Sequence, residues 1–406
     1  MTTSEQGTTP NNEDAKHRVG WFELFYDLVL VATINRAAQV VGESPTWSTA
    51  GLIGGGMAVI LVLWFATTVN LGSFSGREGL RQILVVVQMI AMVIAALATG
   101  QDTGLPTVMG FLALTVAFAS IALLYRVSAT GEATAQRVGR TISRAAFAAA
   151  GVFALGALLV VWQPPGVALL EVACVAAAVL LLALTLLGRP LRRLVESGHM
   201  STEHLQERAG QLVLIVLGES LIYLVKNLSG LPSIPHLPLL VLTIIVVFAI
   251  WRIYFTTIFP AGLPAEAGVI RAWLLLHVVL IFGAVCMAAA LSSMAVVGMS
   301  DPLPAQVDTW TVLPVLFVMT VVLLLTLGQR RRSAANSAAR LLWDRLSIVH
   351  AVAVGLLIAL WPLGAGGPMT DSRWSLALGS LVIIADAVAS GWVVRSCREA
   401  QILPAP

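Results

Sequence analysis

The sequence predicts an all-α fold, a polytopic bundle of about twelve transmembrane helices. Composition is the first reason, because 58% of the 406 residues are hydrophobic and only 11% are charged, whereas soluble proteins carry roughly 25% charged residues. The second reason is that apolar stretches long enough to cross a bilayer recur along the whole chain. The third is that cationic residues fall in every second segment between these stretches. A water-soluble protein is therefore excluded.

The predicted spans form two sets of six, and each holds enough apolar residues to cross roughly 30 Å of hydrocarbon. The first set lies near Trp21–Val41, Gly51–Leu71, Leu80–Thr99, Pro106–Tyr125, Ala145–Trp162 and Gly166–Leu187. The second set lies near Ala209–Val225, Leu237–Ile258, Arg271–Met294, Trp310–Leu327, Leu346–Leu363 and Trp374–Val394. Turn-forming residues such as Pro and Gly separate several neighbouring spans.

Loop charges predict the orientation of these spans. Twenty of the 24 Lys and Arg residues lie before span one, after span twelve, or between an even-numbered span and the next, counting Arg81 and Arg271 within the first two residues of spans three and nine. The alternate segments hold only Lys226 and Arg373, and the spans themselves hold Arg36 and Arg252. Because cytoplasmic loops carry the excess of Lys and Arg, both termini are predicted to be cytoplasmic. The tails are residues 1–17, which are polar and predicted to be disordered, and 396–406.

Sequence similarity predicts an internal duplication that relates the two sets of spans, and chance similarity among apolar helices is the alternative. The segment Glu23–Val31 aligns with Glu207–Ile215, and in that frame Asn35 falls opposite Glu219. A unit with an even number of spans keeps its orientation when it is duplicated, so the halves form a parallel 6+6 internal repeat. We expect a first half at 18–188, a basic cytoplasmic linker at 189–208 and a second half at 209–395. Such repeats form their binding site where the halves meet.

A few ionisable side chains lie inside the predicted spans, where each costs about 2.5–3.5 kcal/mol to insert. Glu23 and Asp27 are one turn apart on span one. Arg252, His277 and His350 fall at about the same depth, which predicts one layer of paired charges. Because residues that are costly to insert are retained for function, this layer is the strongest local hypothesis that the sequence offers.

The remaining candidates lie at other depths: Glu219 and Asp386 near the midplane, Asn35 and Arg36 in the outer third, and Glu207 at the start of span seven. Proton transfer is the hypothesis for the first group of candidates, which is Glu23, Asp27, Glu219 and His277. Substrate binding is the hypothesis for the second group, which is Glu207, Arg252, His350, Asp386, Arg36 and Asn35.

Structural roles compete with each of these hypotheses. Asp27 and Arg252 could neutralise each other as a buried ion pair. The two span histidines could be neutral core residues that bond a carbonyl. Glu207 could pair with its neighbour Arg208, and Arg36 could extend toward the membrane surface.

No metal site and no cofactor is predicted. The segment His204-x-x-Glu207 has one-turn spacing, but its order is the reverse of the Glu-x-x-His pairs of di-metal bundles. The chain has neither a phosphate-binding loop nor a dinucleotide motif, and its three cysteines are widely scattered. A net charge of +3 gives no reason to expect a nucleic-acid partner. The expected partners are the lipid bilayer and a small apolar or amphipathic substrate, and a homo-oligomer stays open.

Two motifs resemble a known family. The segments Trp21-Phe-Glu-Leu-Phe-Tyr-Asp-Leu-Val29 and His204-Leu-Gln-Glu-Arg208, followed by Leu217-Gly-Glu-Ser220, are similar to those of the bacterial low temperature requirement A family. The resemblance covers about residues 18–395 and implies a multi-pass protein of the bacterial cytoplasmic membrane. Tyr26 stands where the family often has Phe. The resemblance implies no reaction, but it puts these residues on family motifs: Glu23, Asp27, His204, Glu207, Arg208, Gly218 and Glu219.

Three functions are compatible with these observations. The first is a proton-coupled secondary transporter with two six-helix halves that use buried carboxylates. The second is an intramembrane enzyme that cyclises or isomerises an isoprenoid- or polyketide-like substrate by acid–base chemistry without a cofactor. The third is a structural or sensory protein whose charges only hold helices together. Whether the chain is an enzyme stays open at this point.

Overall fold

The computed structural model describes residues 20–43, 47–98, 104–162, 167–228, 237–297, 305–333, 336–364 and 372–399. Within these ranges the chain is almost wholly helical and has no strand, which confirms the predicted all-α class. The long helices before the middle of the chain are α1 (Trp21–Glu43), α2 (Trp47–Ser73), α3 (Glu78–Ala98), α4 (Leu105–Ser128), α5 (Ala133–Trp162) and α6 (Val167–Leu187). A short helix, α7 (Arg189–Glu196), follows them.

The second series of long helices begins directly after α7. It comprises α8 (Thr202–Leu228), α9 (Leu237–Ile253), α10 (Ala267–Val297), α11 (Ala305–Arg332), α12 (Ser337–Gly364) and α13 (Ser372–Glu399). A π-helical turn at Tyr254–Ile258 and a 3₁₀ turn at Phe259–Ala261 extend α9. The bundle thus contains twelve long helices among the described residues, one for each predicted span.

Eleven helices of the described part of the chain are long and apolar enough to cross a membrane, and α1 is the one long helix outside that set. With 23 residues, α1 is about 35 Å long at 1.5 Å per residue, which also suffices to cross. The outward faces of the helices are apolar, as Ile83, Ile90 and Leu97 on α3 illustrate with 56–62% exposure. Apolar surface of this extent requires lipid around it.

The basic end of the bundle is the end at which α1, α3, α5, α8, α10 and α12 begin. Contacts between helix ends hold it together: Arg81 at the start of α3 donates to Leu71 O of α2 at 3.4 Å, and Arg271 at the start of α10 donates to Gly188 O at 3.2 Å. His199 lies 3.0 Å from Glu132, which connects the segment after α7 to the segment before α5.

Two elements at the basic end differ from the sequence-based boundaries. Helix α5 begins at Ala133, three turns before the predicted span, because this stretch is amphipathic: Val138 and Ile142 are buried while Arg137 and Arg140 are exposed. Residues 189–208, interpreted above as a basic linker, contain α7 and the first two turns of α8. Gly198, with φ of +70°, provides the left-handed turn between them.

Helix neighbours follow the same order in both series. In the first, α3 packs on α4, α4 on α5 and α5 on α6, while α1 contacts α3 and α2 contacts α6. In the second, α10 packs on α11, α11 on α12 and α12 on α13, while α8 contacts α10 and α9 contacts α13. The series meet where α1 contacts α8 and α10. Most of the buried apolar residues form one continuous core across both series.

Small residues allow some of these helices to approach closely. At Gly156 of α5, an added Cβ would overlap the ring of Phe111 on α4. That ring packs against Phe153 with centroids 6.2 Å apart, so it has little room to move. Gly151 of the same helix is exposed, and a Cβ there would meet no atom. Close approach through small residues is the usual basis of helix packing in membranes.

The two glycines therefore give a matched test of this packing. We expect Gly156→Ala to lower the midpoint of thermal unfolding in detergent, because overpacking costs about 1–3 kcal/mol. Gly151→Ala should leave the midpoint unchanged or raise it slightly, since alanine is the better helix former. Equal midpoints for the two variants would contradict the close contact between α4 and α5.

Candidate functional site

A buried ion pair joins α1 to α8. Asp27 and Arg208 are both wholly inaccessible to solvent, and the guanidinium donates to both carboxylate oxygens, through Nη2 to Oδ1 and through Nε to Oδ2, the latter at 3.4 Å. Trp64 of α2 adds a third hydrogen bond to the carboxylate, from Nε1 to Oδ1 at 2.8 Å. The Arg208 Cζ atom lies 5.8 Å from the ring centroid of Tyr26 and 5.9 Å from that of Trp64. Fork-like geometry and aromatic faces are the surroundings in which arginine tolerates burial best.

A second carboxylate and an imidazole complete the group, here called the charge cluster: Glu23, Asp27, His204 and Arg208. Glu23 Oε1 lies 3.6 Å from Arg208 Nη1 and 3.3 Å from His204 Nε2. The backbone N–H of Gly20 donates to Glu23 Oε2 at 3.0 Å. Each helix contributes two residues four positions apart, so both pairs lie on the facing sides of α1 and α8.

The surroundings of Glu23 and His204 differ from those of the ion pair. Each of these two residues keeps 9% of its surface exposed, whereas Asp27 and Arg208 keep none. Gly72 of α2 lies against the imidazole, and a Cβ there would overlap His204 Cδ2. Glu23 and His204 occupy the first turn of their helices, at the basic end. The charge cluster therefore has an inner half with no exposed surface and an outer half that is buried but keeps a small exposed fraction.

The charges of the cluster do not balance without a proton. Two carboxylates face one guanidinium, and the fourth member, His204, is charged only when it is protonated. With a neutral imidazole the net charge is −1, and one added proton brings it to zero. Unbalanced charge is costly in a low-dielectric interior, and one added proton would neutralise these four side chains. Arg81, a buried cation at the start of α3, also interacts electrostatically with Glu23.

Uncharged polar side chains extend the site from α1 across α2 to α3. The Tyr26 hydroxyl accepts a hydrogen bond from Gln88 Nε2 at 2.9 Å and lies 3.4 Å from Thr67 Oγ1. The Thr67 hydroxyl donates to Gln88 Oε1 at 3.0 Å. All three side chains are fully buried. A satisfied buried network of this kind fixes the relative positions of the helices that carry it.

Glu219 and Asn35 form a separate contact between α1 and α8. Asn35 Nδ2 donates to Glu219 Oε1 at 2.9 Å, and both residues are half-buried. Asn35 lies two turns beyond Asp27, so this contact is about 12 Å from the ion pair along the helix. Arg36 donates to Gln39 of its own helix at 3.4 Å.

His277 lies in a separate hydrogen-bonded group. Its Nδ1 is 2.8 Å from the carbonyl oxygen of Trp273, and its Nε2 is 2.9 Å from the hydroxyl of Tyr254. A carbonyl can only accept, so Nδ1 carries the proton and Nε2 accepts from the tyrosine. Both nitrogens are satisfied by neutral partners, and this arrangement favours the core role over the proton-transfer role considered for His277.

His350 and Asp386 pair with each other between α12 and α13. His350 Nδ1 lies 2.9 Å and 3.0 Å from the two Asp386 oxygens, and Ser390 donates to Asp386 Oδ1 at 3.2 Å. All three are buried, and His350 Nε2 has no hydrogen-bond partner in the described part of the chain. The sequence pointed to both residues but not to their pairing.

The expected single layer of paired charges is wrong. Asp27 pairs with Arg208 of α8, not with Arg252, whose Nε donates to the carbonyl of Ala387 on α13 at 3.3 Å. Between described residues, neither Glu23 nor Asp27 forms an ion pair or hydrogen bond with Arg252, His277 or His350. Similar depth had grouped these residues, but depth along a span says nothing about which neighbour a helix faces.

Three members of the site were missed as site residues from sequence: His204, Arg208 and Trp64. One sequence feature could have identified two of them. His204 and Arg208 are four residues apart, the same spacing as Glu23 and Asp27, and the two pairs carry opposite charge. Glu207, which was selected instead, is half-buried and joins no ion pair among the described residues. No group of three or more His, Cys, Asp or Glu side chains in the described ranges could hold a metal ion.

Breaking the buried pair should be costly. Asp27→Asn leaves the guanidinium of Arg208 without its closest counter-charge, and we expect the free energy of unfolding to fall by about 3–5 kcal/mol. Adding Arg208→Gln should restore much of that loss, because the remaining partners are neutral amides. The measurement is thermal or chemical unfolding of the purified protein in detergent.

Asp344 provides the matched control. It pairs with Arg330 and Arg340 with a third of its side chain exposed, so Asp344→Asn should cost less than about 1 kcal/mol. Similar losses for Asp27→Asn and Asp344→Asn, or no recovery in the double variant, would show that the buried pair does not contribute as described.

The comparisons with known proteins agree with the two motifs that meet in the charge cluster. No curated protein matches the chain. Residues 18–385 match the family described as Bacterial low temperature requirement A protein (LtrA). This match spans most of the chain, and it includes both α1 and α8, which supply all four members of the cluster. With its many apolar helices, the chain is an integral membrane protein that belongs to the bacterial low temperature requirement A family.

Proposed function

We propose that this protein is a proton-coupled secondary transporter of a small or amphipathic molecule. The observation that carries the proposal is the composition of the charge cluster: two carboxylates, one arginine and one histidine, whose charges balance only when one proton is bound. A site that gains or loses a single proton between two packed helices is the element that proton coupling requires.

Glu23 and His204 are the proposed proton carriers. They form the outer half of the cluster, and Glu23 Oε1 is 3.3 Å from the imidazole Nε2, so one proton can be shared between them. Asp27 is assigned a structural role instead, because Arg208 and Trp64 occupy its oxygens. Arg208 then acts as the fixed positive charge that keeps Glu23 ionised until the proton arrives.

The parallel 6+6 repeat is part of the proposal. The helices of residues 18–188 and those of 209–395 have the same order of neighbours, which is the packing expected of duplicated halves. The hydrogen bond between Asn35 and Glu219 joins positions 184 residues apart, the same offset that aligns the two motifs. The charge cluster then lies where the halves meet, as in other repeat transporters.

The orientation proposed from the loop charges puts both termini in the cytoplasm. The basic end of the bundle would then face the cytoplasm, and Glu23 and His204 would take up their proton from that side. In alternating access, rocking of one half against the other at the contact of α1 with α8 would expose the same pair to the opposite side.

The geometry gives less support to the enzyme alternative. Acid–base catalysis on an apolar substrate needs Glu23, Asp27 and Glu219 to line one cavity. Asp27 and Glu23 instead face Arg208, and Glu219 is bonded to Asn35. A purely structural role accounts for the ion pair of Asp27 and Arg208 but not for the additional carboxylate of Glu23. The structural role and the transport role predict different results in the two measurements below.

Proton binding is the first measurement. In proteoliposomes adsorbed on a solid-supported membrane, a step from mildly alkaline to mildly acidic pH should evoke a transient current as the cluster takes up a proton. Glu23→Gln should remove that current while the protein stays folded, because Asp27 and Arg208 then balance each other. Glu203→Gln is the control, since Glu203 is an exposed carboxylate one residue before His204. A current that survives in Glu23→Gln would exclude Glu23 as the carrier.

Coupled flux is the second measurement. Everted membrane vesicles that hold the protein are energised by respiration, and an acridine dye reports the pH gradient while amphipathic amines, carboxylates and neutral compounds are added one by one. We expect at least one compound class to dissipate the gradient in wild-type vesicles and not in Glu23→Gln vesicles. Equal dissipation in both would argue against coupling through the cluster.

A further inference from the structure

A groove that the charge cluster does not use lies between α9 and α13 near the basic end. It is a cavity of about 590 Å³, here called the arginine groove, and the residues of interest along it are Arg252, Phe255, Val388, Trp392, Arg395 and Arg398. Its volume is in the range of ligand sites in proteins, roughly 300–1,000 Å³. Neither Asp nor Glu is among the residues that line it.

The arginines of the groove have no counter-charge in the described part of the chain. Arg252, Arg395 and Arg398 form no ion pair there, and the deepest of them, Arg252, donates to the neutral carbonyl of Ala387. Arg252 reaches α13 at Gly391, which lies two turns before the end of that helix at Glu399. Together the arginines form a row that leads from the helix end into the apolar zone. Arg252 is half-buried, whereas Arg395 and Arg398 are exposed at the end of α13, so the row presents unpaired positive charge both at the basic end and beside apolar side chains.

The backbone around the groove is adapted to this arrangement. An added Cβ at Gly391 would overlap the guanidinium of Arg252 in its present position, so the glycine leaves room for the arginine to rest against α13. On the opposite wall, Phe255 and Thr256 belong to the π-helical turn at Tyr254–Ile258 that interrupts the regular α-helix. Turns of this kind are rare and are frequent at functional sites.

The rest of the groove is apolar and faces outward. Val388 and Trp392 are 63% and 65% exposed, and on a membrane-spanning helix such side chains contact acyl chains. Phe255 continues into an aromatic row along α9, with ring centroids 5.7 Å from Phe255 to Trp251 and 5.4 Å from Trp251 to Phe248. The apolar wall therefore runs from the arginines toward the membrane interior.

We propose that the arginine groove binds an anionic phospholipid from the leaflet at the basic end. The phosphodiester contacts Arg252, Arg395 and Arg398, and one acyl chain lies along Val388, Trp392 and the aromatic row of α9. A soluble anion would satisfy the arginines but would leave the apolar wall without a partner, and a zwitterionic lipid would bring a positive group to the cations. A basic pocket between membrane helices is the known setting for anionic head groups. This site is independent of the charge cluster and of the transport proposal.

The test is lipid retention by the full-length protein in detergent, measured by native mass spectrometry. Phosphatidylglycerol and phosphatidylcholine with identical acyl chains are titrated separately, and glycerol phosphate provides the head group without chains. We expect wild-type protein to retain phosphatidylglycerol at least about tenfold better than phosphatidylcholine, because each arginine near a head group contributes a severalfold preference. Glycerol phosphate at the same concentration should not displace the lipid.

The variant Arg395→Gln/Arg398→Gln should weaken retention of phosphatidylglycerol by roughly 10- to 30-fold. Both side chains are exposed, so the fold is expected to survive, and an unchanged melting temperature without added lipid checks this. The matched control is Arg140→Gln/Arg144→Gln, an exposed pair on α5 at the same end of the bundle, which should retain the lipid as wild type does. Equal retention of the two lipids, equal loss in both double variants, no loss in either, or displacement by glycerol phosphate would overturn the proposal.

Discussion

A guanidinium group without access to water determines how α1 and α8 can be arranged. Burial of a single charge costs several kcal/mol unless counter-charges and hydrogen bonds surround it, and Arg208 has both carboxylates of α1 within reach. Because each helix carries its pair four residues apart, the ionic contacts are satisfied in only one register of α1 against α8. The bond from Asn35 to Glu219 farther along the same two helices fits that register. Trp64, which binds Asp27, then ties α2 to the same point.

Two other buried histidines are organised locally and form no ion pair with this contact. His277 bonds Tyr254 and a backbone carbonyl, and His350 bonds Asp386 through Nδ1. The ionisable residues thus form small separate groups. Because electrostatic energy falls with distance, each group has less effect on the others than it would in a continuous layer. A proton that binds near Glu23 therefore changes one contact, the contact between α1 and α8. If all the candidate ionisable residues formed one connected layer, the same proton would change several helix contacts at once.

Most of the fold follows from the sequence alone, and much of the site does not. The long helices could be located because an apolar run of span length predicts a helix without any knowledge of its neighbours. The start of α5 was missed because its arginines look like loop residues until the buried face of Val138 and Ile142 is recognised. Asp27 could be identified from the sequence as an unusual residue, but its partner could not. Arg208 is one of many cations that the predicted topology already explains. The depth of a residue in the membrane also does not say which neighbouring helix its side chain faces. The family motifs contained the right residues without saying that they touch.

The separation of Asp27 and Arg208 by 181 positions also has a consequence for biogenesis. A ribosome adds about 5–20 residues per second, so roughly 10–40 s pass between synthesis of the aspartate and synthesis of its arginine. During that interval Glu23 and Asp27 lack the arginine that pairs with them, and hydrocarbon is a poor environment for unpaired carboxylates. Helix α1 can therefore form its final ionic contacts only after α8 has been synthesised. Slower elongation or a chain truncated before α8 would leave an orphaned, poorly inserted first helix, which is a natural target for membrane quality control.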